Sequence, residues 1–241
     1  MLRGRAPPCS AADCGVRPPS SRGPAAAALL LCAHLLYFAG GAALAQVTVI
    51  EQESLAGAQL GAPAAATHRL RLSLVRLAGS GWTRERSLDA LRVAVPLLAQ
   101  CGVALERAEL ASLAVPPGHL DFSTPAAREL ARAWPVPRPA VYFVRDTRSR
   151  PAFDAEAIGR GNSRSRPELA GTVWITAAAR DAGIALAHEL AHVLMDSGGH
   201  SEEPGNLMRE ETSAQNTALT AVQCARLRDT ASANGLLETV K

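Results

Sequence analysis

"HELAHVLMDSGGHSEEPGNLM", residues 188–208, decides the reading of this chain. It opens on His-Glu-x-x-His, with His188 and His192 four residues apart. On a helix that spacing puts both imidazoles on one face, where they can hold one ion. Glu189 sits a quarter turn round from His188, within reach of a water held by that ion. Zinc lowers the pKa of such a water to about 7. A carboxylate beside it can take the proton and pass it to a leaving amine. The surrounding segment, "AARDAGIALAHELAHVLMDSG" (residues 178–198), reads as one long apolar helix. Two histidines and a glutamate on such a helix are costly unless they have partners.

Two histidines do not complete a catalytic zinc site. His200 offers a third imidazole after the pair Gly198 and Gly199. The spacing predicts a helix running through Asp196, broken at those glycines, with the chain swinging back to the metal. Asp196, Glu202 and Glu203 are the other candidates for the third ligand. Met208 ends a "PGNLM" turn soon after.

This stretch resembles the metzincin zinc peptidases, whose motif is H-E-x-x-H-x-x-G-x-x-H with a downstream methionine turn. The resemblance implies that His188, His192 and His200 hold one Zn2+ ion. It further implies Glu189 as general base and Met208 as the turn methionine beneath the metal. It covers residues 188–208; beyond them only the order of elements agrees. The spacing departs from the family: seven residues separate His192 from His200, and Met195 stands at the glycine position. Some members carry a tyrosine just after the turn methionine that assists at the metal. None follows Met208 here, and the one tyrosine after the leader is Tyr142.

Upstream, "THRLRLSLVRL" (residues 67–77) alternates Leu70, Leu72 and Leu74 with polar residues, a half-buried strand. Leu88, Leu91, Val95 and Leu98 fall on one helical face, with Gly102 as the stop and Pro96 predicting a kink. "VALERAELASLAVP" (residues 103–116) reads as a strand. Thr124 and Pro125 read as N-cap and N1 of a short helix through residues 126–134. "AVYFV" (residues 140–144) and "TVWIT" (residues 172–176) read as buried strands. Between them, residues 145–171 are polar and rich in Gly and Arg, and read as one long loop. Residues 213–237 read as a final helix with Leu219, Val222, Cys224 and Leu227 as its apolar positions. His68 and His119 read as surface histidines. Strands and helices so mixed predict an α+β fold. With the resemblance, this is a metzincin-like twisted mixed sheet with packed helices, an active-site helix carrying the motif, and a C-terminal helix after the methionine turn.

The N-terminus carries Arg3, Arg5, Arg17 and Arg22 against Asp13, then an apolar run closing on Ala43-Leu44-Ala45. That pattern predicts a signal peptide, residues 1–45, cleaved before Gln46, with a retained membrane anchor as the alternative. The remaining residues 46–241 form a single domain, with 46–66 as a flexible lead-in. The leader accounts for the net charge of +3, so the rest is near neutral. That argues against a nucleic-acid partner, and a cleaved leader leaves no membrane segment. Outside the leader only Cys101 and Cys224 remain. An even pair in an exported protein predicts one disulfide.

These readings give a secreted or periplasmic zinc peptidase acting on a peptide or protein substrate. The rivals are a non-catalytic binding module folded around zinc and a zinc amidase acting on a non-peptide amide. Four protein ligands would favour the binding module, and an open position would favour an enzyme.

Overall fold

The computed structural model describes residues 46–240; the leader, with its cleavage site, Cys9, Cys14 and Cys32, lies outside them. Seven strands form one sheet: β1 (Thr48–Ala56), β2 (His68–Leu77), β3 (Val103–Ala114), β4 (Ala140–Val144), β5 (Ala155–Ile158), β6 (Thr172–Thr176) and β7 (Glu238–Thr239). Four helices pack on it: α1 (Arg84–Ala99), α2 (Thr124–Ala133), α3 (Ala182–Met195) and α4 (Ala221–Ala233). The strand order is β1-β3-β2-β4-β6-β5, with β7 pairing the start of β2. β2, β3, β4 and β6 run parallel, while the two edges, β1 and β5, are antiparallel to their neighbours.

Strand alternation sorts the core into two layers. Leu70, Leu72 and Leu74 of β2, Val141 and Phe143 of β4, and Val173 and Ile175 of β6 face α1, α3 and α4. Val75, Leu77, Tyr142, Val144 and Trp174 face α2, through Ala127, Leu130 and Ala131. Burial on both faces is why β4 and β6 read as unbroken apolar runs.

Several boundaries differ from the sequence reading. Residues 48–56 are not a flexible lead-in; they form β1, paired with β3 along most of its length. The strand is hard to read because it is an exposed edge, with Val49 and Ile50 adjacent rather than alternating. Backbone pairing holds it, aided by a two-pronged ion pair from Arg84 to Glu53 (2.5 and 2.7 Å). The polar segment 145–171 contains β5, whose alanines give little strand signal. The cap of α2 is Ser123, one residue earlier than expected; its hydroxyl accepts from the Ala126 N–H. α1, as read, contains Pro96 and runs to Ala99; Pro96 and Arg92, whose carbonyl loses its partner, both lie on the exposed side. α4 starts at Ala221, and Val222 is 79% exposed rather than a core position. Gly102 does end the first helical segment: its φ of 69° is a conformation that suits glycine, and a Cβ there would meet Thr67 Oγ1 at 2.7 Å.

Cys101 and Cys224 are bonded, tying the end of α1 to α4. His68 and His119 are partly buried, and the His119 ring pairs with Glu129 at 3.0 Å. Among the described residues no helix is long and apolar enough to cross a membrane.

Candidate metal centre

α3 is buried along nearly its whole length, between the sheet, α1 and α4. Its polar residues are buried with it: His188 is 2% exposed, His192 7% and Glu189 8%. The i, i+4 spacing turns both rings to one side, with Nε2 atoms 2.9 Å apart. His200 Nε2 lies 3.2 Å from that of His192, and all three ligand atoms fall within 4.8 Å of one another. Two nitrogens on a tetrahedral zinc, each at about 2.05 Å, would stand about 3.3 Å apart. The donor set and its spacing therefore fit one Zn2+ ion.

The backbone prepares two of these rings. His188 Nδ1 bonds the Leu207 carbonyl at 2.7 Å and His192 Nδ1 bonds the Ser197 carbonyl at 2.6 Å. A carbonyl can only accept, so each Nδ1 carries the proton and each Nε2 keeps its lone pair for a metal. Burial lowers the pKa of both histidines, that of His192 to about 4, with repulsion from His188 adding to the effect. Both rings are thus neutral at pH 7, the form that ligates.

The methionine turn buttresses the site from below. Met208 is buried, and its carbonyl accepts from the Ser201 N–H at 2.8 Å, tethering the residue after His200. The same turn supplies the Leu207 carbonyl to His188. Asn206 Oδ1 accepts from the Met208 N–H at 2.9 Å, and the Asn206 amide pairs reciprocally with that of Gln223 on α4. Sequence reasoning missed this pair. Its one signal was a polar residue set inside an otherwise tight turn, "PGNLM".

Geometry brings His200, and none of the three acids, to the two helix histidines. Among the described residues the cluster with the geometry to hold a metal ion consists of His188, His192 and His200. Asp196 Oδ1 is instead engaged by the N–H groups of Arg160 (2.8 Å) and Gly161 (3.2 Å), while Glu202 and Glu203 are exposed and outside the cluster. The helix does not break at Gly198 and Gly199. It ends at Met195, and Asp196 takes the left-handed conformation (φ 45°, ψ 53°). The two extra residues of spacing therefore split: one lengthens the helix past the glycine position of the motif, and one lengthens the return to His200. Tyr142 lies on the sheet face opposite α3, stacked on Trp174 at 4.2 Å, and takes no part in the centre.

The centre opens into a cleft of about 740 Å3, bordered by β5 through Ala155, Glu156 and Ala157 and by Glu189, Gly159 and Asn162. Burial, with repulsion from Glu156 second, pushes the Glu189 carboxyl up to about 8, against an opposing hydrogen bond from the Ala157 backbone. A raised pKa means that the group is mostly protonated at pH 7 before a metal arrives. A nearby dication favours the carboxylate. Zinc uptake at pH 7 is therefore expected to release up to about one proton more from the wild type than from Glu189→Gln. Calorimetry in buffers of different ionisation enthalpy measures the count, and equal release from the two proteins would refute it.

No family model matches the chain, and no curated protein sequence does. One similar solved structure is metalloproteinase-II from Bacteroides fragilis, at 17% identity and a TM-score of 0.46, with 70% of this chain covered. The match spans 55% of that protein's length. The mixed sheet, the motif helix, the third histidine and the methionine turn together form a metzincin-like arrangement around three histidines placed to hold one metal ion.

Proposed function

We propose that the protein is an exported zinc peptidase that hydrolyses peptide bonds in a peptide or protein substrate. One observation carries this reading: three histidine Nε2 atoms converge beside a buried Glu189, in a cleft open to solvent along a sheet edge. Zinc held there would polarise a scissile carbonyl and acidify a bound water. Glu189 takes the water's proton as the water oxygen adds to the carbonyl carbon. It then gives that proton to the nitrogen as the C–N bond breaks. The Leu207 and Ser197 carbonyls keep His188 and His192 in the ligating tautomer throughout.

The cleft edge favours a peptide over another amide. All four β5 residues lie opposite β6 partners, Ala155 against Ile175 and Ala157 against Val173. The Thr176 N–H bonds the Asp154 carbonyl at 2.8 Å, which sets Ala155 and Ala157 in the non-hydrogen-bonded pairs. Strand geometry turns the backbone groups of those two alanines away from β6, toward the cleft. The Ala157 backbone already bonds Glu189, so Ala155 presents the pairing edge. An extended peptide can add to such an edge by backbone pairing; a small non-peptide amide cannot. The absence of a fourth protein ligand in the described cluster speaks against the zinc-folded binding module. The Cys101–Cys224 disulfide supports a secreted or periplasmic location.

Purified protein is expected to hold about one zinc per chain and to cleave members of a random peptide library. Chelation should stop cleavage, and added zinc should restore it. Stoichiometric zinc with no cleavage of the library or of unfolded proteins would move the protein to the binding-module class.

A further inference from the structure

Asp196 is the only non-glycine residue with positive φ among those described. Glycine reaches this conformation without strain and commonly caps helices in it. Aspartate tolerates it too, and its side chain can make contacts that glycine cannot. Its Oδ1 accepts from both the Arg160 and Gly161 N–H groups, on the loop that directly follows β5. The approach is close enough that a Cβ on Gly159 would sit 2.8 Å from the same oxygen. Asp196, Gly159 and Gly161 all line the cleft. One carboxylate thus joins the end of the metal-binding helix to the end of the edge strand across the cleft floor.

We propose that Asp196 is a positioning residue for the substrate, a clamp that fixes the distance between β5 and α3 so that a bound peptide can pair with the edge while its carbonyl meets the metal. The inference rests on the peptidase reading. It assigns to the helix cap of this chain a task that a glycine cap leaves undone. It also separates two roles of the cap. The left-handed backbone turns the chain toward Ser197, whose N–H bonds the His192 carbonyl at 3.1 Å and whose own carbonyl orients the His192 ring. The carboxylate acts only on the edge-strand side.

Glycine and asparagine variants divide these roles, because both accept the left-handed conformation and only asparagine keeps an accepting Oδ1. The probes are acetohydroxamate, which can bind only at the metal, and a tripeptide hydroxamate, which can also pair with β5. Zinc affinity is read separately by competition with a chelator. Wild type should prefer the peptide probe. Asp196→Gly should keep its zinc and acetohydroxamate affinities within about twofold and lose about tenfold of the peptide preference, the scale of a lost charge-assisted hydrogen bond. Asp196→Asn should recover most of that loss. Gly159→Ala, whose methyl group would press on Oδ1, should reproduce it, and the double variant with Asp196→Gly should lose little more.

A glycine variant with undiminished peptide preference would overturn the clamp. So would one that loses zinc affinity in step, because Asp196 would then support the ligands rather than the edge. An asparagine variant as impaired as glycine would overturn the role given to the accepting oxygen. A wild type that binds zinc and acetohydroxamate but shows no preference for the peptide probe would remove the peptidase reading itself, and the clamp with it.

Discussion

Glu189→Ala is expected to keep zinc near one per chain and to lower the rate of hydrolysis by about 10² to 10⁴, the usual worth of a general base. The two effects separate because Glu189 lies beside the ligand cluster and does not belong to it. Its carboxyl is buried, and burial holds its pKa up to about 8. Removing it therefore relieves a desolvation cost, and thermal stability of the metal-free protein should not fall. His200→Ala gives the opposite pattern. It takes away one of three donors, so zinc retention should drop before any question of rate arises. His200 is also the ligand with the least support. It is exposed, and neither ring nitrogen bonds a backbone carbonyl among the described residues, as His188 and His192 do. Metal analysis and single-turnover cleavage on the same preparations distinguish the cases. An alanine variant at 189 that hydrolyses at wild-type rate would end the general-base assignment. A His200 variant with full zinc occupancy would mean that the third ligand lies elsewhere.

What could be read from the sequence followed the strength of the local constraint. The metal-binding helix was legible because an ion demands donors at i and i+4, and few other needs put two histidines and a glutamate on an apolar helix. β2, β4 and β6 were legible because alternating or two-sided burial leaves a pattern in residue type. β1 and β5 were not, since edge strands rely on backbone pairing; the exposed side chains of β1 carry no period, and β5 is four half-buried or buried residues, two of them alanine. The helix end was misplaced for a related reason. Glycine pairs are the usual mark of a break, but the left-handed turn fell on Asp196, where two N–H groups from a distant loop stabilise it. Those partners are 35 and 36 residues away in sequence, and local reading cannot see them. The Asn206–Gln223 pair escaped notice in the same way.

Loss of the Cys101–Cys224 bond is expected to cost about 3 to 5 kcal/mol of stability and to lower Tm by about 10 °C. The bond closes a loop with a sequence separation of 123 residues, so its removal returns a large amount of chain freedom to the unfolded state. The cost should also reach the metal. Cys224 is the neighbour of Gln223, whose amide pairs with Asn206 in the methionine turn. That turn holds the Leu207 carbonyl on His188 and the Met208 carbonyl on Ser201, next to His200. Loosening α4 therefore loosens the supports of two ligands. Paired replacement, Cys101→Ala with Cys224→Ala, avoids leaving a single reactive thiol. Melting the paired variant beside the wild type, each with and without zinc, reads both effects. The variant should melt lower in both states, and it should gain less from zinc than the wild type, because a looser site binds the ion less tightly. An unchanged melting temperature would show that packing alone holds α4. A lower Tm with an undiminished gain from zinc would break the link from α4 through Gln223 to the metal, leaving the disulfide as a global staple only.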